Sequence, residues 1–135
     1  MIDPKLTLLE LLKNGWSLSF EPVFSSDWLM EKAEFPQLVV SHIITTKTPL
    51  GLSENPAIAD YRYTGIYLVD VWSSGEQDKR WMMIEEVNRI LQSHHNSPGE
   101  TLESVRVSDW RDLDEGTLRP PLYRSQTRVE VSYIG

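Results

Sequence analysis

The chain has 135 residues, enough for one domain that buries roughly two thirds of the surface its unfolded form would expose. It contains no cysteine, which excludes disulfides, thiolate metal sites and a cysteine nucleophile. Its 13 basic and 20 acidic side chains give a net charge of −7, and the basic residues form no cluster. This composition argues against a domain that binds nucleic acid through its phosphates.

The sequence carries no sign of a membrane or export signal. No apolar run approaches the roughly 20 residues that a membrane-spanning helix needs. The first residues include an acid and lack the small-residue cleavage site of a signal peptide. We therefore expect a soluble protein that is not exported and has no membrane partner.

The first quarter of the chain predicts one helix and one short strand. Asp3-Pro4 is typical of a helix start, and a glycine follows the last periodic leucine, so we predict a helix over about residues 4–14. Its leucines cover more than half of the circumference, which indicates either deep burial or a subunit contact. Alternation from Trp16 predicts a short strand that Pro22 ends, and Ser25-Ser26-Asp27 is expected to cap a helical turn.

A second strand is predicted over Gln37–Thr46, central in the sheet because its first half is apolar on both faces. The next segment, Lys47–Asp60, has two prolines and a glycine but no periodicity. Long irregular connections are usually functional or mobile, so we expect a projecting loop or hairpin. Its residues Leu50, Leu52 and Glu54 are candidates for contact with a partner.

The middle of the chain changes from strand periodicity to helical periodicity within about four residues. Alternation over Tyr61–Trp72 predicts a long strand, and Ser73-Ser74-Gly75 ends it with capping-box spacing, so a helix should start near Gly75. One stripe of this helix is expected to pack on the sheet, with Glu86 and most other charged residues in solvent. The stripe contains Trp81, Ile84, Val87, Asn88 and Leu91.

The last third predicts two strands joined by a charged turn. Leu102–Trp110 alternates with one mainly apolar face, and Tyr123–Tyr133 alternates with one polar face. Arg111–Pro121 between them is expected to connect a hairpin. The whole order predicts a single α+β domain over residues 1–135, with helices on one side of a mostly antiparallel sheet.

Residues that could carry chemistry lack partners at recognisable spacing. The run from Asp112 to Gly116 resembles a calcium loop but lacks its third ligand and its later glutamate, so a solvated turn is favoured. His94-His95 has no third ligand, and we predict no metal site and no cofactor. His42 and Asp70 are the only candidates for catalysis, and neither has a second group placed beside it, so we do not expect an enzyme.

Three tryptophans allow a different interpretation. Trp72, Trp81 and Trp110 fall at a strand end, a helix start and another strand end. Closure of the core is the simpler reading of such positions. The alternative is a small-molecule or peptide-binding regulatory module whose pocket these three indoles line.

Three segments carry a resemblance to a known family: GIYLVDVWSS, WMMIEEVNRIL and DLDEGTLRPPLYRSQTRVEVSYI. Together, over roughly residues 36–135, they resemble the tail terminator or tail completion proteins of tailed phages and viruses, including the minor tail protein U type. The shared pattern is a central strand ending near an aromatic residue, a helix ending in Ile-Leu, a strand, an acidic turn with prolines and a final strand.

The resemblance implies a structural protein of the virion with no catalytic residues. Such subunits form a homo-oligomeric ring, hexameric by resemblance, at the head-proximal end of the tail tube. The ring ends tube growth and joins the tail to the neck. The implied partners are other copies of the chain, tail-tube proteins and neck or head-completion proteins, with DNA passing through unbound. The implied location is the tail or neck of a virion assembled in host cytoplasm.

Loops and one strand edge are the expected contact surfaces of such a ring subunit. An acidic balance would also let DNA slide through the ring. We expect contacts along Lys47–Asp60, along Asp112–Arg119 and at the outer edge of the last strand. The candidate interaction residues are Leu50, Leu52, Glu54, Asp112, Asp114, Glu115 and Arg119.

Overall fold

The computed structural model describes residues 4–26, 35–49, 61–93, 104–114, 117 and 121–134. These residues contain two helices, α1 (Pro4–Gly15) and α2 (Gln77–Ser93). They also contain five strands, which are β1 (Val23–Ser26), β2 (Gln37–Pro49), β3 (Tyr61–Ser74), β4 (Ser104–Asp112) and β5 (Leu122–Ile134).

All five strands belong to one sheet in the order β1-β2-β3-β5-β4. β1 runs parallel to β2, and every other neighbouring pair is antiparallel. α1 packs on β1 and β2, while α2 packs on β3, β4 and β5. The side of the sheet under the helices is the helix face, and the other side is the open face. The predicted α+β class with helices on one side of a mostly antiparallel sheet is confirmed.

The core lies between the helices and the helix face. Alternate residues of each strand point to this face, and they meet apolar side chains repeated at helical spacing. Complete burial of one such aliphatic side chain contributes about 1.5–3 kcal/mol relative to leaving it exposed. The most buried members are Leu8, Leu12, Leu38, Val40, Val69, Val71, Met83, Val87, Ile90, Leu91, Val105, Val129 and Val131.

The strand predicted from Trp16 to Pro22 is wrong. This segment bends, with Trp16 Nε1 donating to the Phe20 carbonyl at 2.8 Å, and the strand starts after Pro22 instead. The alternation in the sequence reflects packing of Trp16 and Phe20 against the core rather than pairing in a sheet. Ser25 and Ser26, expected to cap a helical turn, lie in β1, and the rest of that turn is outside the described residues.

The second strand is longer than predicted. Its pairing with β3 continues to Pro49, which lies opposite Tyr61, so Lys47 and its neighbours extend a hairpin rather than starting a loop. A register shift between His42 and Ile44 marks a bulge in this strand. The remainder of the expected connection, residues 50–60 with Leu50, Leu52 and Glu54, lies outside the described residues.

The buried stripe of α2 shares three residues with the predicted stripe and differs elsewhere. Ile84, Val87 and Leu91 are buried as predicted, but Trp81 is 48% exposed and Glu86 only 4% exposed. The difference arises because Arg80 and Glu86 have polar partners that allow a charged side chain to be buried. Periodicity of apolar residues alone does not show such partners. The buried stripe contains Arg80, Met83, Ile84, Glu86, Val87, Ile90 and Leu91.

The last two strands form the predicted hairpin, but β5 has no outer edge. It lies between β3 and β4, so the expected contact along its edge is excluded by the register of both pairs. β4 is the edge strand, and a register shift between Val107 and Trp110 marks a bulge in it. The face of β5 predicted to be polar is not wholly in solvent, since Gln126 is 6% exposed.

Position 65 must be a glycine because the Tyr67 ring, two residues further along β3 on the same helix face, occupies the space that a side chain at position 65 would need. A Cβ atom at position 65 would lie 2.6 Å from a Tyr67 ring carbon, and that ring is itself buried. We predict that Gly65→Ala lowers the free energy of unfolding by about 1–3 kcal/mol, because the ring must leave its packed position. Urea denaturation measures the loss.

Ser132→Ala on the neighbouring strand provides the control for this prediction. Ser132 lies one place from Val131, the residue that pairs with Gly65, and is half-buried. Its replacement should change stability by less than about 0.5–1 kcal/mol. A Gly65→Ala variant as stable as this control would show that the ring contact does not constrain the strand.

Candidate functional site

The acidic turn after β4 is anchored to α2 by a buried guanidinium. Arg80 is 1% exposed, and its Nη1 donates to Asp114 Oδ1 and lies 3.9 Å from Asp112 Oδ1. Asp112 also accepts a hydrogen bond from Ser125 Oγ at 2.6 Å, and the Arg124 backbone N–H donates to Asp114 at 3.0 Å. These two carboxylates therefore join the end of β4 to α2 and to the start of β5.

Asp112 and Asp114 were predicted as contact residues for a partner. Their side chains remain 45% and 33% exposed, so a role in contact stays a prediction alongside the internal role. Glu115 and Arg119 lie outside the described residues. Sequence reasoning missed Arg80, and nothing in its position on the helix distinguishes it from the half-exposed Lys79 beside it.

The three tryptophans occupy different sides of the domain. Trp110 lies on the helix face, where its Nε1 donates to Asn88 Oδ1 at 2.8 Å. Trp72 lies on the open face with the Arg124 guanidinium 4.8 Å from its ring. Trp81 lies on the outer side of α2, where Arg80 contacts its ring at 4.9 Å. Because the sheet separates Trp72 from Trp110, the three indoles do not line a common pocket.

A buried polar network surrounds Asp70 on the open face. Asp70 is 0% exposed, and its Oδ1 accepts from Arg124 Nε and Gln126 Nε2, each at 3.0 Å. Gln126 in turn accepts from Arg111 Nη2 at 3.0 Å. Burial raises the pKa of Asp70, and the charge and hydrogen bond of Arg124 only partly offset this. Its Oδ2 has no hydrogen-bond partner among the described residues.

His42 does not join this network. Its side chain is exposed beside Tyr67, with ring centroids 5.0 Å apart, and its Nε2 lies 2.7 Å from Thr45 Oγ1. Because Tyr67 and Asp70 point to opposite faces of β3, His42 and Asp70 are on different sides of the sheet. The two candidates for catalysis are therefore not brought together.

A hollow of about 420 Å³ lies beside the polar network, at the bulge of β4. Two guanidinium groups, from Arg111 and Arg128, meet apolar side chains there. Asp109 is the carboxylate among its lining residues, so the hollow carries a net positive charge. The lining is Ile43, Leu68, Asp109, Trp110, Arg111, Gln126, Thr127 and Arg128.

A second buried acid joins α1 to α2. Glu86 Oε2 accepts from the backbone N and the Oγ of Ser17, each at 2.7 Å, and Oε1 accepts from Arg89 Nε at 2.5 Å. Arg89 also donates to the Gly15 carbonyl at 2.6 Å. Burial raises the pKa of Glu86, but the hydrogen bonds from Arg89 and Ser17 outweigh burial and lower it overall.

Two pairs of large apolar side chains are exposed on different surfaces. Ile43 and Ile44, at the bulge of β2, are 48% and 52% exposed; Ile43 lines the hollow, and Ile44 lies opposite Ile66 on the same open face. Trp81 and Met82, on the outer side of α2, are 48% and 41% exposed. Sequence reasoning missed both pairs, although two adjacent isoleucines in a strand cannot both face one core.

Comparison with protein-family models and with curated proteins gave no match for this chain. Within the described ranges, neither helix combines the length and apolar character needed to cross a membrane. The described residues bring together no group of three or more histidine, aspartate or glutamate side chains able to hold a metal ion. His94 and His95 lie outside those residues.

We predict that Asp114→Ala lowers the free energy of unfolding by about 1–3 kcal/mol, measured by urea denaturation near neutral pH. The substitution removes the nearest carboxylate from a buried guanidinium, whose remaining carboxylate partner among the described residues is Asp112 at 3.9 Å. Adding Arg80→Met should recover part of the loss, because methionine fills similar space without a buried charge.

Asp109→Ala, at an exposed position on β4, is the matched control and should change stability by less than about 0.5 kcal/mol. Equal stability of the Asp114→Ala and Asp109→Ala variants would refute the anchoring role of the pair.

We predict that Asp70→Asn becomes more stable relative to the unsubstituted chain as pH rises. A raised pKa means that the folded chain holds the Asp70 proton more tightly than the unfolded chain does. The stability from this proton is complete below the ordinary value of 3.8 and is lost as pH rises through the folded pKa. Urea denaturation between about pH 3 and about pH 7 measures the difference.

Glu86→Gln should show the opposite slope in the same experiment. The lowered pKa of Glu86 gives stability that is present above the ordinary value of 4.5 and is lost as pH falls through the folded pKa. Glu86→Gln should therefore lose stability relative to the unsubstituted chain as pH rises. Parallel curves for all three chains would contradict both assignments.

Proposed function

We propose that this chain is a structural assembly protein that forms a ring at the head-proximal end of a viral tail tube. In this role the ring ends growth of the tube and joins the tail to the neck. Its partners are other copies of the chain, tail-tube proteins and neck proteins, and DNA passes through without specific binding. Assembly takes place in host cytoplasm and the finished ring stays in the virion.

The exposed apolar pairs are the observation that carries the assembly part of this proposal. Ile43 and Ile44 lie on the open face, and Trp81 and Met82 lie on α2 on the other side of the sheet. Clustered exposed side chains of this size are typical of protein contacts, in which Trp and Met are enriched. Two different contact surfaces on one domain are what head-to-tail assembly in a ring requires.

The placement of the ring in a viral tail is supported by the resemblance alone. The segments that carry it fall on β3, on α2 and on the chain from the end of β4 through β5, and in the fold β3 and β5 are paired neighbours with α2 packed on them. The pairing of β2 with β3 continues to Pro49, with residues 42–48 exposed and Lys47 Nζ 3.8 Å from the Tyr61 ring near its end. An arm of this kind suits contact with an adjacent ring.

The hollow on the open face favours a second function, binding of a small molecule or peptide. Of the three tryptophans proposed to line a pocket, Trp110 is the one among the lining residues of this hollow, which reaches it at the bulge of β4 although its indole lies on the helix face. The cationic side chains of Arg111 and Arg128 would suit an acidic ligand with an apolar part. Tryptophan fluorescence that stays unchanged across a broad metabolite panel would count against this function.

We predict that the tagged chain, recovered gently from virus-producing cells, co-purifies with tail-tube and neck proteins identified by mass spectrometry. The reason is that a terminating ring contacts the tube on one side and the neck on the other. A variant with Ile43→Ser and Ile44→Ser should lose these partners, or its own oligomer, while remaining folded by circular dichroism.

Glu10→Ser and Lys13→Ser, at exposed positions of α1, form the control variant and should leave recovery unchanged. Recovery of the tagged chain with cellular enzymes and without tube or neck proteins would reject the proposed function.

A further inference from the structure

The outer surface of α2 and the open face of the sheet have complementary chemistry. Asp78, Trp81, Met82 and Glu85 lie three and four residues apart, so they share one side of the helix. All four side chains are exposed, and the two carboxylates form no ion pair with the described residues. This helix surface is therefore an apolar pair with an acid on either side.

The open face presents the opposite arrangement around its hollow. Ile43 and Ile44 are an exposed apolar pair, and Arg111 and Arg128 are exposed cations that form no salt bridge within the described ranges. Arg111 gives one hydrogen bond to the neutral Gln126 amide, which leaves other N–H donors of the guanidinium for a partner. This surface is an apolar pair beside two cations.

The spacing of the charges on the two surfaces is similar. Asp78 and Glu85 are seven residues apart on a helix, which corresponds to about 10 Å. Arg111 on β4 lies opposite Gln126, and Arg128 is two residues further along β5. A step of two residues along one strand and one step across to its neighbour give a Cα separation of about 8 Å for Arg111 and Arg128. Arginine side chains are long enough to cover this difference, so both ion pairs can form at once.

The helix surface also offers room for an apolar side chain. A hollow of about 250 Å³ lies between α2 and the segment that follows α1, and Leu18, Met82 and Glu85 are among its lining residues. An isoleucine from a neighbouring molecule would bury apolar surface there. Glu85, which lines this hollow together with Arg89, would at the same time receive a guanidinium.

We propose that the outer surface of α2 (Asp78, Trp81, Met82 and Glu85) binds the open face (Ile43, Ile44, Arg111 and Arg128) of a second copy of this chain. This contact rests on the proposed function, because it supplies the subunit interface that a ring needs. The net charge of −7 also favours this occupant, since a second copy brings acidic surface to the positive hollow. The two surfaces differ, so the contact is head-to-tail and leaves one free surface of each kind on a pair.

Charge reversal tests the contact in the purified full-length chain by light scattering after size-exclusion chromatography. Arg128→Glu and Glu85→Arg should each weaken association by about tenfold or more, because each places like charges together. The unsubstituted oligomer should also weaken as salt is raised. An equimolar mixture of the two variants should assemble again, since each supplies the surface that the other lacks.

Lys13→Glu and Glu10→Arg reverse the same charges at exposed positions of α1 and are the matched controls. Both should leave the oligomer unchanged, and circular dichroism should show that all variants are folded. An oligomer unaffected by Arg128→Glu and Glu85→Arg would overturn this contact but would not contradict assembly into a ring. If the chain instead forms a filament that requires both residues, the contact would be supported and assembly into a ring would be contradicted.

A chain that stays monomeric at every concentration would overturn the contact. The proposed function is decided separately, by whether tube and neck proteins co-purify with the chain.

Discussion

Packing of both helices on a single face of the sheet is the constraint on which the other features depend. It gives one continuous core in which Leu12 of α1 and Val87 of α2 meet the alternate side chains of the strands. The same arrangement leaves the open face without a covering layer from either helix. The backbone of β3 is paired on both sides, so the side chains of that face must satisfy their own polar groups. Among the described residues, the network around Asp70 meets this requirement except at Asp70 Oδ2.

Charged side chains connect the parts of the domain that apolar packing does not join. Arg80 holds the turn after β4 to α2, and Glu86 holds the segment after α1 to the same helix. Each is nearly inaccessible to solvent, so each depends on a partner for its stability in the fold. α2 is therefore the element through which the two ends of the described chain are positioned relative to each other. Its outer surface, which takes no part in this, remains available for contact.

The sequence predicted the sheet and both helices well, because alternation and helical periodicity report directly on burial. The segment after Trp16 misled this reasoning, since aromatic residues packed on the core alternate in the same way as a strand. The candidate surfaces were harder to predict. Burial of Arg80 depends on Asp114, which is 34 residues away, and no local pattern joins the two. The exposed pair at Ile43 and Ile44 could not be predicted either, because adjacent residues of a regular strand point to opposite faces, and it is the bulge between His42 and Ile44 that brings both to the open face.

The strand order has a consequence for how the chain reaches its native state. β3 lies between β2 and β5, yet β5 comes after α2 and β4 in the chain. During synthesis β3 can pair with β2 early, but its other edge stays unpaired until the β5 segment has been made. An open strand edge next to apolar side chains is a template for pairing with other chains. Chaperone protection of the nascent chain would matter most during the time in which this β3 edge is unpaired. That period ends when β5 inserts between β3 and β4.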